Sequence, residues 1–110
     1  MLFNGLEVLL WEGQMAVGLI MQFSGVDAAK YDAILKEAGL KGKNAAWPAG
    51  IISHAAGPTA DGWCVVDVWS SQAQFDRFLS KTLRPAFDRA GGMPEPHVTT
   101  FQIHNKYHRA

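Results

Sequence analysis

The spacing of hydrophobic and polar positions changes several times along this chain, and each change marks an element. Residues 16–23 (AVGLIMQF) form a short apolar run with strand character, closed by Ser24-Gly25. From Asp27 the period becomes helical, with Tyr31, Ile34, Leu35 and Ala38 at i, i+3, i+4 and i+7. Asp27 suits the N-cap of that helix and Gly39 its stop. Residues 41–49 (KGKNAAWPA) read as a loop. Two strand-like runs follow, 50–56 and 63–69, joined by GPTADG, and they read as a hairpin. Residues 70–92 then carry a second amphipathic helix, striped by Phe75, Phe78, Leu79, Leu83 and Phe87. Ser71 and Gln74 have the spacing of a capping box, and Pro85 is expected to kink or split the helix near residue 82. After Gly91-Gly92 and the loop MPEP, a last strand is expected from about His97 to Asn105. The order is β-α-β-β-α-β, an α+β ferredoxin-like arrangement with a four-stranded antiparallel sheet and both helices on one face. Its other face lies open.

Strand alternation sorts the side chains between those two faces. WCVVDVW (63–69) places Cys64, Val66 and Val68 on one side and Trp63, Val65, Asp67 and Trp69 on the other. A buried carboxylate is costly without partners, so the purely apolar set is expected against the helices and Asp67 on the open face. By the same reasoning Val17, Leu19, Met21 and Phe23 pack inward, with Gly18, Ile20 and Gln22 opposite. On the last strand Thr99, Phe101 and Ile103 are assigned inward, with Thr100, Gln102 and His104 opposite. A hairpin turn centred between Thr59 and Ala60 pairs His54 with Val65, leaving His54 and Asp67 diagonal neighbours. Gln22, His54, Asp67, Trp69, Gln102 and His104 are therefore expected together on the open face. A polar cluster on an aromatic wall suits a small-molecule pocket.

Composition narrows the function classes. The chain has 110 residues, enough for one domain, and 48% of them are hydrophobic, too many for disorder. Ten basic residues balance ten acidic ones with no run of like charge, which argues against nucleic acid as a partner. The single cysteine, Cys64, reads as a small buried hydrophobe and fits a reducing compartment. Residues 1–14 fall outside the βαββαβ scheme and read as an N-terminal extension to a domain of 15–110. Glu7 and Glu12 interrupt their apolar run and no basic region precedes it, so a cytoplasmic protein without a membrane span is expected. Glycines of GPTADG close a hairpin and precede no helix, so no phosphate loop is present. No set of three or four residues shows metal-ligand spacing, and no metal site is assigned.

The stretches VVDVWSSQAQFDRFLSKTLRPAF (65–87), WPAGIISHAAGP (47–58) and FQIHN (101–105) resemble the dimeric α+β barrel proteins of the antibiotic-biosynthesis-monooxygenase-like superfamily. The resemblance spans residues 16 to about 107. It implies a homodimer in which the open sheet faces of two subunits pack into a barrel, each subunit carrying its own pocket. Activities in that superfamily include cofactor-independent oxidation of quinol-like aromatics, haem degradation and lactone isomerisation. In the haem-degrading branch the resemblance puts Phe78 where a tryptophan stands, Asp88 where a histidine stands, and Gln22 for a first-strand asparagine. Haem breakdown by that route is not implied.

Two function classes stay open on the sequence. One is a monooxygenase-like enzyme without a cofactor, acting on an aromatic or apolar molecule. In it His54 is the general base, Asp67 orients it, and Trp63, Trp69 and Phe78 form flat walls, with Gln22, Gln102 and His104 as further ligand contacts. The other is a non-catalytic binding or structural homodimer in which the His-Asp pair is structural. Haem binding through His54 or His104 is a third, weaker option.

Overall fold

A computed structural model describes residues 15–107 and 109 of the chain. The expected extension at 1–14 lies outside the described residues. The elements are β1 (Val17–Ser24), α1 (Ala28–Glu37), β2 (Ile51–Thr59), β3 (Gly62–Trp69), α2 (Gln72–Phe78), a π-helical turn (Leu79–Leu83), α3 (Arg84–Arg89) and β4 (His97–Gln102). The four strands form one antiparallel sheet in the order β2-β3-β1-β4. This is the α+β ferredoxin-like architecture that the sequence pattern predicts.

Local chemistry sets the element boundaries. The Asp27 carboxylate accepts the Lys30 backbone N–H at 2.9 Å, and Gly39 takes a positive φ of 74° just beyond the helix end. The Ser71 hydroxyl accepts the Gln74 N–H at 3.2 Å, while the Gln74 side chain accepts from the Ser70 and Ser71 hydroxyls. Half of the predicted capping box is therefore present. Pro85 splits the second helical stretch as expected, through the π turn that precedes it: Arg84 N–H reaches back five residues to the Leu79 carbonyl. The wider turn gives the proline ring room beside the preceding carbonyls. Lys30 Nζ donates to the Ala90 carbonyl at 2.6 Å, and Arg89 Nη2 donates to the Glu37 carbonyl at 2.7 Å, tying α1 to the end of α3.

The core lies between sheet and helices. It contains Val17, Leu19, Met21 and Phe23 from β1, as expected, with Phe75 from α2. Its third-strand contribution is the reverse of the expectation. Trp63, Val65, Asp67 and Trp69 are the buried set, whereas Val66 is 42% exposed and Cys64 is half-buried on the open face. Magnitudes explain the choice. Each tryptophan brings 150–250 Å² of surface, roughly 4–6 kcal/mol of burial as an upper figure. A carboxylate whose oxygens are hydrogen-bonded costs less than leaving two indoles in water.

Strand β4 is turned over in the same way. Thr100 pairs with buried Leu19, and Phe101 pairs with Gly18 on the open face. A Cβ on Gly18 would stand 2.3 Å from the Phe101 ring, so glycine lets that ring lie flat on the sheet. Two hairpin details also differ. Thr59 pairs with Gly62 around the two-residue turn Ala60-Asp61, which slides the register so that His54 lies directly opposite Asp67. A bulge between Ile51 and Ser53 leaves Ile52 unpaired and 42% exposed, and re-aims Ile51 to the helix side beside Trp69.

Candidate functional site

His54 and Asp67 meet on the helix-covered side of the sheet. His54 stands on the edge strand β2, and the register sets Asp67 of β3 opposite it on the same face. The His54 Nδ1 to Asp67 Oδ1 distance is 2.6 Å. The second carboxylate oxygen accepts the Trp69 indole N–H at 3.1 Å. Asp67 is only 3% exposed, so two donors within the protein stand in for its lost hydration. From the other direction the Tyr31 hydroxyl reaches His54 Nε2 at 2.5 Å. The result is one chain of polar groups, Tyr31–His54–Asp67–Trp69, within an apolar core.

The direction of each hydrogen bond follows from the acidities. Burial, then the negative charges of Asp67 and Asp32, push the Tyr31 phenol above its ordinary value of 10.0. Tyr31 therefore stays protonated and donates to Nε2. A carboxylate only accepts, so His54 Nδ1 carries a proton and donates it to Asp67. Nε2 is then the accepting nitrogen, met by the Tyr31 hydroxyl.

Aromatic rings enclose these groups. The Tyr31 ring lies 5.1 Å from Trp63 and within 7° of parallel to the imidazole. Trp47, from the loop before β2, stands 4.9 Å from the His54 ring and is 38% exposed, covering the outer side. Phe78, Leu83, Phe87 and Met93 close the cavity from the helical side. The space among them is about 50 Å³, room for a few water-sized molecules but not for an aromatic ring. A larger groove of about 340 Å³ lies beside it, between β4 and the α2–α3 segment. Met21, Phe23, Phe87 and Met93 line both spaces, so they form the partition between them.

Among the sequence-predicted residues, the structure brings together His54, Asp67, Trp63 and Phe78 at the cavity, with Trp69 holding Asp67 from behind. It does not bring Gln22, Gln102 or His104 to them. Gln22 pairs with Cys64 on the open face, Gln102 sits exposed at the end of β4, and His104 lies exposed beyond that strand. Sequence reasoning missed Tyr31 and Trp47. Tyr31 was one of several apolar helix positions, although a tyrosine in such a stripe is itself a signal that a hydroxyl needs a partner. Among the described residues, no group of three or more His, Cys, Asp or Glu could hold a metal ion. No helix among them is long and apolar enough to cross a membrane.

No family model matches the chain, and no curated protein matches it by sequence. Its backbone does match solved structures. SnoaB, a cofactor-independent oxygenase from Streptomyces nogalater, superimposes with a TM-score of 0.57 at 13% identity, over 84% of this chain and 96% of that one. A monooxygenase from the gene ActVA-Orf6 of Streptomyces coelicolor, solved with nanaomycin D, gives 0.50 at 16% identity over 87% and 93%. A Chloroflexus aurantiacus protein provisionally named an antibiotic biosynthesis monooxygenase gives 0.52 at 20% identity over 83% and 97%. The chain shares its fold with these three proteins. At these identities the likeness is one of fold, and the chemistry has to be argued from this chain's own residues.

Proposed function

We propose that this protein is a monooxygenase-like enzyme that needs no cofactor and acts on a small aromatic or apolar substrate, with His54 as general base. The observation that carries the reading is the polar chain Tyr31–His54–Asp67–Trp69 beside an apolar cavity, in which His54 Nε2 meets the Tyr31 hydroxyl. A fold shared with cofactor-independent oxygenases supports it.

The chemistry asks little of the protein beyond a base in a dry site. A hydroquinone-like substrate, reacting through the ring CH₂ of its keto tautomer, gives a proton from that carbon to Nε2, and its conjugate base is an electron-rich carbanion that reduces dioxygen directly. One oxygen atom enters the substrate as a carbonyl and the other leaves as water: AH₂ + O₂ → A=O + H₂O. The substrate is therefore both reductant and oxygen acceptor. Asp67 holds the imidazole in the tautomer that makes Nε2 the acceptor, open to substrate once the Tyr31 hydroxyl moves off it, and steadies the imidazolium once formed. Trp63, Trp47 and Phe78 exclude water, which strengthens that interaction. Because the cavity is too small for a ring, substrate entry requires the partition of Met21, Phe23, Phe87 and Met93, or the Tyr31 side, to give way. Met93 is suited to this by its flexible thioether side chain.

We further infer a homodimer joined through the open sheet face, where Ile20, Val66, Val68 and Phe101 present an apolar surface. A second functional reading has one observation in its favour: every ring nitrogen of His54 and both oxygens of Asp67 already have partners within the chain. On that reading the pair is structural and the protein binds a ligand without transforming it. Oxygen uptake with substituted hydroquinones separates the two. The His54→Ala variant is expected to lose at least a hundredfold in turnover while keeping its fold. Turnover equal to wild type would remove His54 from the mechanism.

A further inference from the structure

We propose that Tyr31 is a built-in competitor for the ligand: its hydroxyl holds the accepting nitrogen of His54, and the pocket yields only to a planar molecule that brings a hydroxyl of its own. The inference rests on the reading of this cavity as a ligand site, not on the oxidation step.

Three observations carry it. First, Nε2 of His54 is an acceptor by construction, because Asp67 draws the imidazole proton to Nδ1. Any group that replaces Tyr31 there must be a donor. A hydrocarbon, ether or ketone entering the same space would strand both the Tyr31 hydroxyl and Nε2. Second, the Tyr31 ring already sits as a bound phenol would, 5.1 Å from Trp63 and parallel to the imidazole within 7°. The space beside it is small because the ring is in it. Tyr31 lies near the start of α1 and is only half-buried, so rotation about its Cα–Cβ bond can carry the ring toward solvent without unwinding the helix. Third, Trp63 Nε1 is buried without a hydrogen-bond partner, on a side chain that lines the same cavity. A buried N–H without an acceptor is rare, and an acceptor oxygen brought within its reach would satisfy it. The ligand therefore carries a hydroxyl donor for His54, and an acceptor oxygen on the same flat body would strengthen its hold wherever it reaches Trp63 Nε1.

The competition makes the apparent affinity of the wild type lower than that of the pocket itself, by the fraction of molecules in which Nε2 is vacant. Titrations of wild type and Tyr31→Phe with 4-fluorophenol and fluorobenzene, followed by fluorine NMR, test this. Tyr31→Phe keeps the ring and frees the nitrogen. It is expected to bind 4-fluorophenol on the order of tenfold more tightly than wild type does, and fluorobenzene gains too because it must displace the same ring, while the phenol stays the tighter ligand of the two through its hydroxyl on Nε2. Equal or weaker binding of 4-fluorophenol by the variant, fluorobenzene bound by the variant as tightly as the phenol, or no binding to either protein would each overturn the proposal. A second measurement uses the wild type alone. Proton contacts between the Tyr31 and His54 rings should vanish as 4-fluorophenol saturates the site, and their persistence at saturation would also overturn it. Neither experiment measures turnover, so a protein that never consumes oxygen can still pass both, and an active oxygenase can fail both.

Discussion

The two faces of the sheet draw on the same four strands and use them in opposite ways. The helix-covered face takes the larger and chemically richer side chains: Trp63, Trp69, Asp67, His54 and the apolar residues of β1. The open face takes the smaller and plainer ones, Gly18, Ala55, Cys64, Val66 and Val68, with Phe101 flattened over Gly18. A face that carries aromatic bulk and a satisfied carboxylate has a fixed internal geometry suited to positioning a proton. Small aliphatic side chains on a smooth surface suit contact with another such surface. Apolar character alone did not decide which side went inward; the area to be buried did.

This contrast can be broken from either side. The largest effect is expected from Asp67→Ala, which strands the His54 Nδ1–H and the Trp69 indole N–H in the core. A loss of about 3 kcal/mol in urea unfolding is expected, and a loss below about 1 kcal/mol would mean the polar chain does not hold that face in place. On the other face, Val66→Lys should cost less than about 0.5 kcal/mol within a single chain. In sedimentation it should convert the inferred dimer to monomers. A wild type that sediments as a monomer would dispense with the role assigned to that surface.

The smallest effect concerns pH. The Tyr31 phenol is raised above 10.0 in the folded chain by burial and by Asp67, so the folded state holds that proton where the unfolded chain releases it. The associated stability is fully present below pH 10 and is lost as pH climbs through the raised value. Urea midpoints measured between pH 8 and 11 should therefore fall more steeply for wild type than for Tyr31→Phe. Parallel curves would show that Tyr31 ionises in the folded protein as it does in the unfolded chain.

Much of the fold was legible because the signals are local. Asp27, Gly39 and Ser71 mark helix ends through their own backbone chemistry, and Pro85 disrupts its helix wherever the rest of the chain lies. The nearness of His54 to Asp67 was also legible, since alternation and a short turn suffice to put both on one face. The choice of face was not, because it depends on weighing two indoles against one carboxylate whose partners are unknown until the strands pair. Ile52 shows a different limit: a single unpaired residue re-aims Ile51, and nothing in IISH announces a bulge. Gln22 failed because Asp67 turned inward while Gln22 stayed on the open face. Gln102 turned inward with β4 but stands at the opposite edge of the sheet from His54, and His104 lies beyond the end of that strand. Tyr31 was hidden for a simpler reason, since a helical stripe gives direction but not reach.

The π turn at Leu79–Leu83 has a consequence for how this chain can vary in length. Such a turn holds one residue more than an α-helix needs over the same rise, and each residue advances a helix by about 100°. The extra residue therefore re-phases everything after it, and this phase turns Ala86 fully inward and sets Phe87 edge-on to Phe23 at 6.2 Å. Removing one residue here would give a more regular helix and a worse protein, with Phe87 swung away from the wall it shares with the cavity. The irregularity acts as a spacer: a past insertion at this point would have been absorbed without disturbing the sheet, and it now sets the shape of the partition through which the two spaces adjoin.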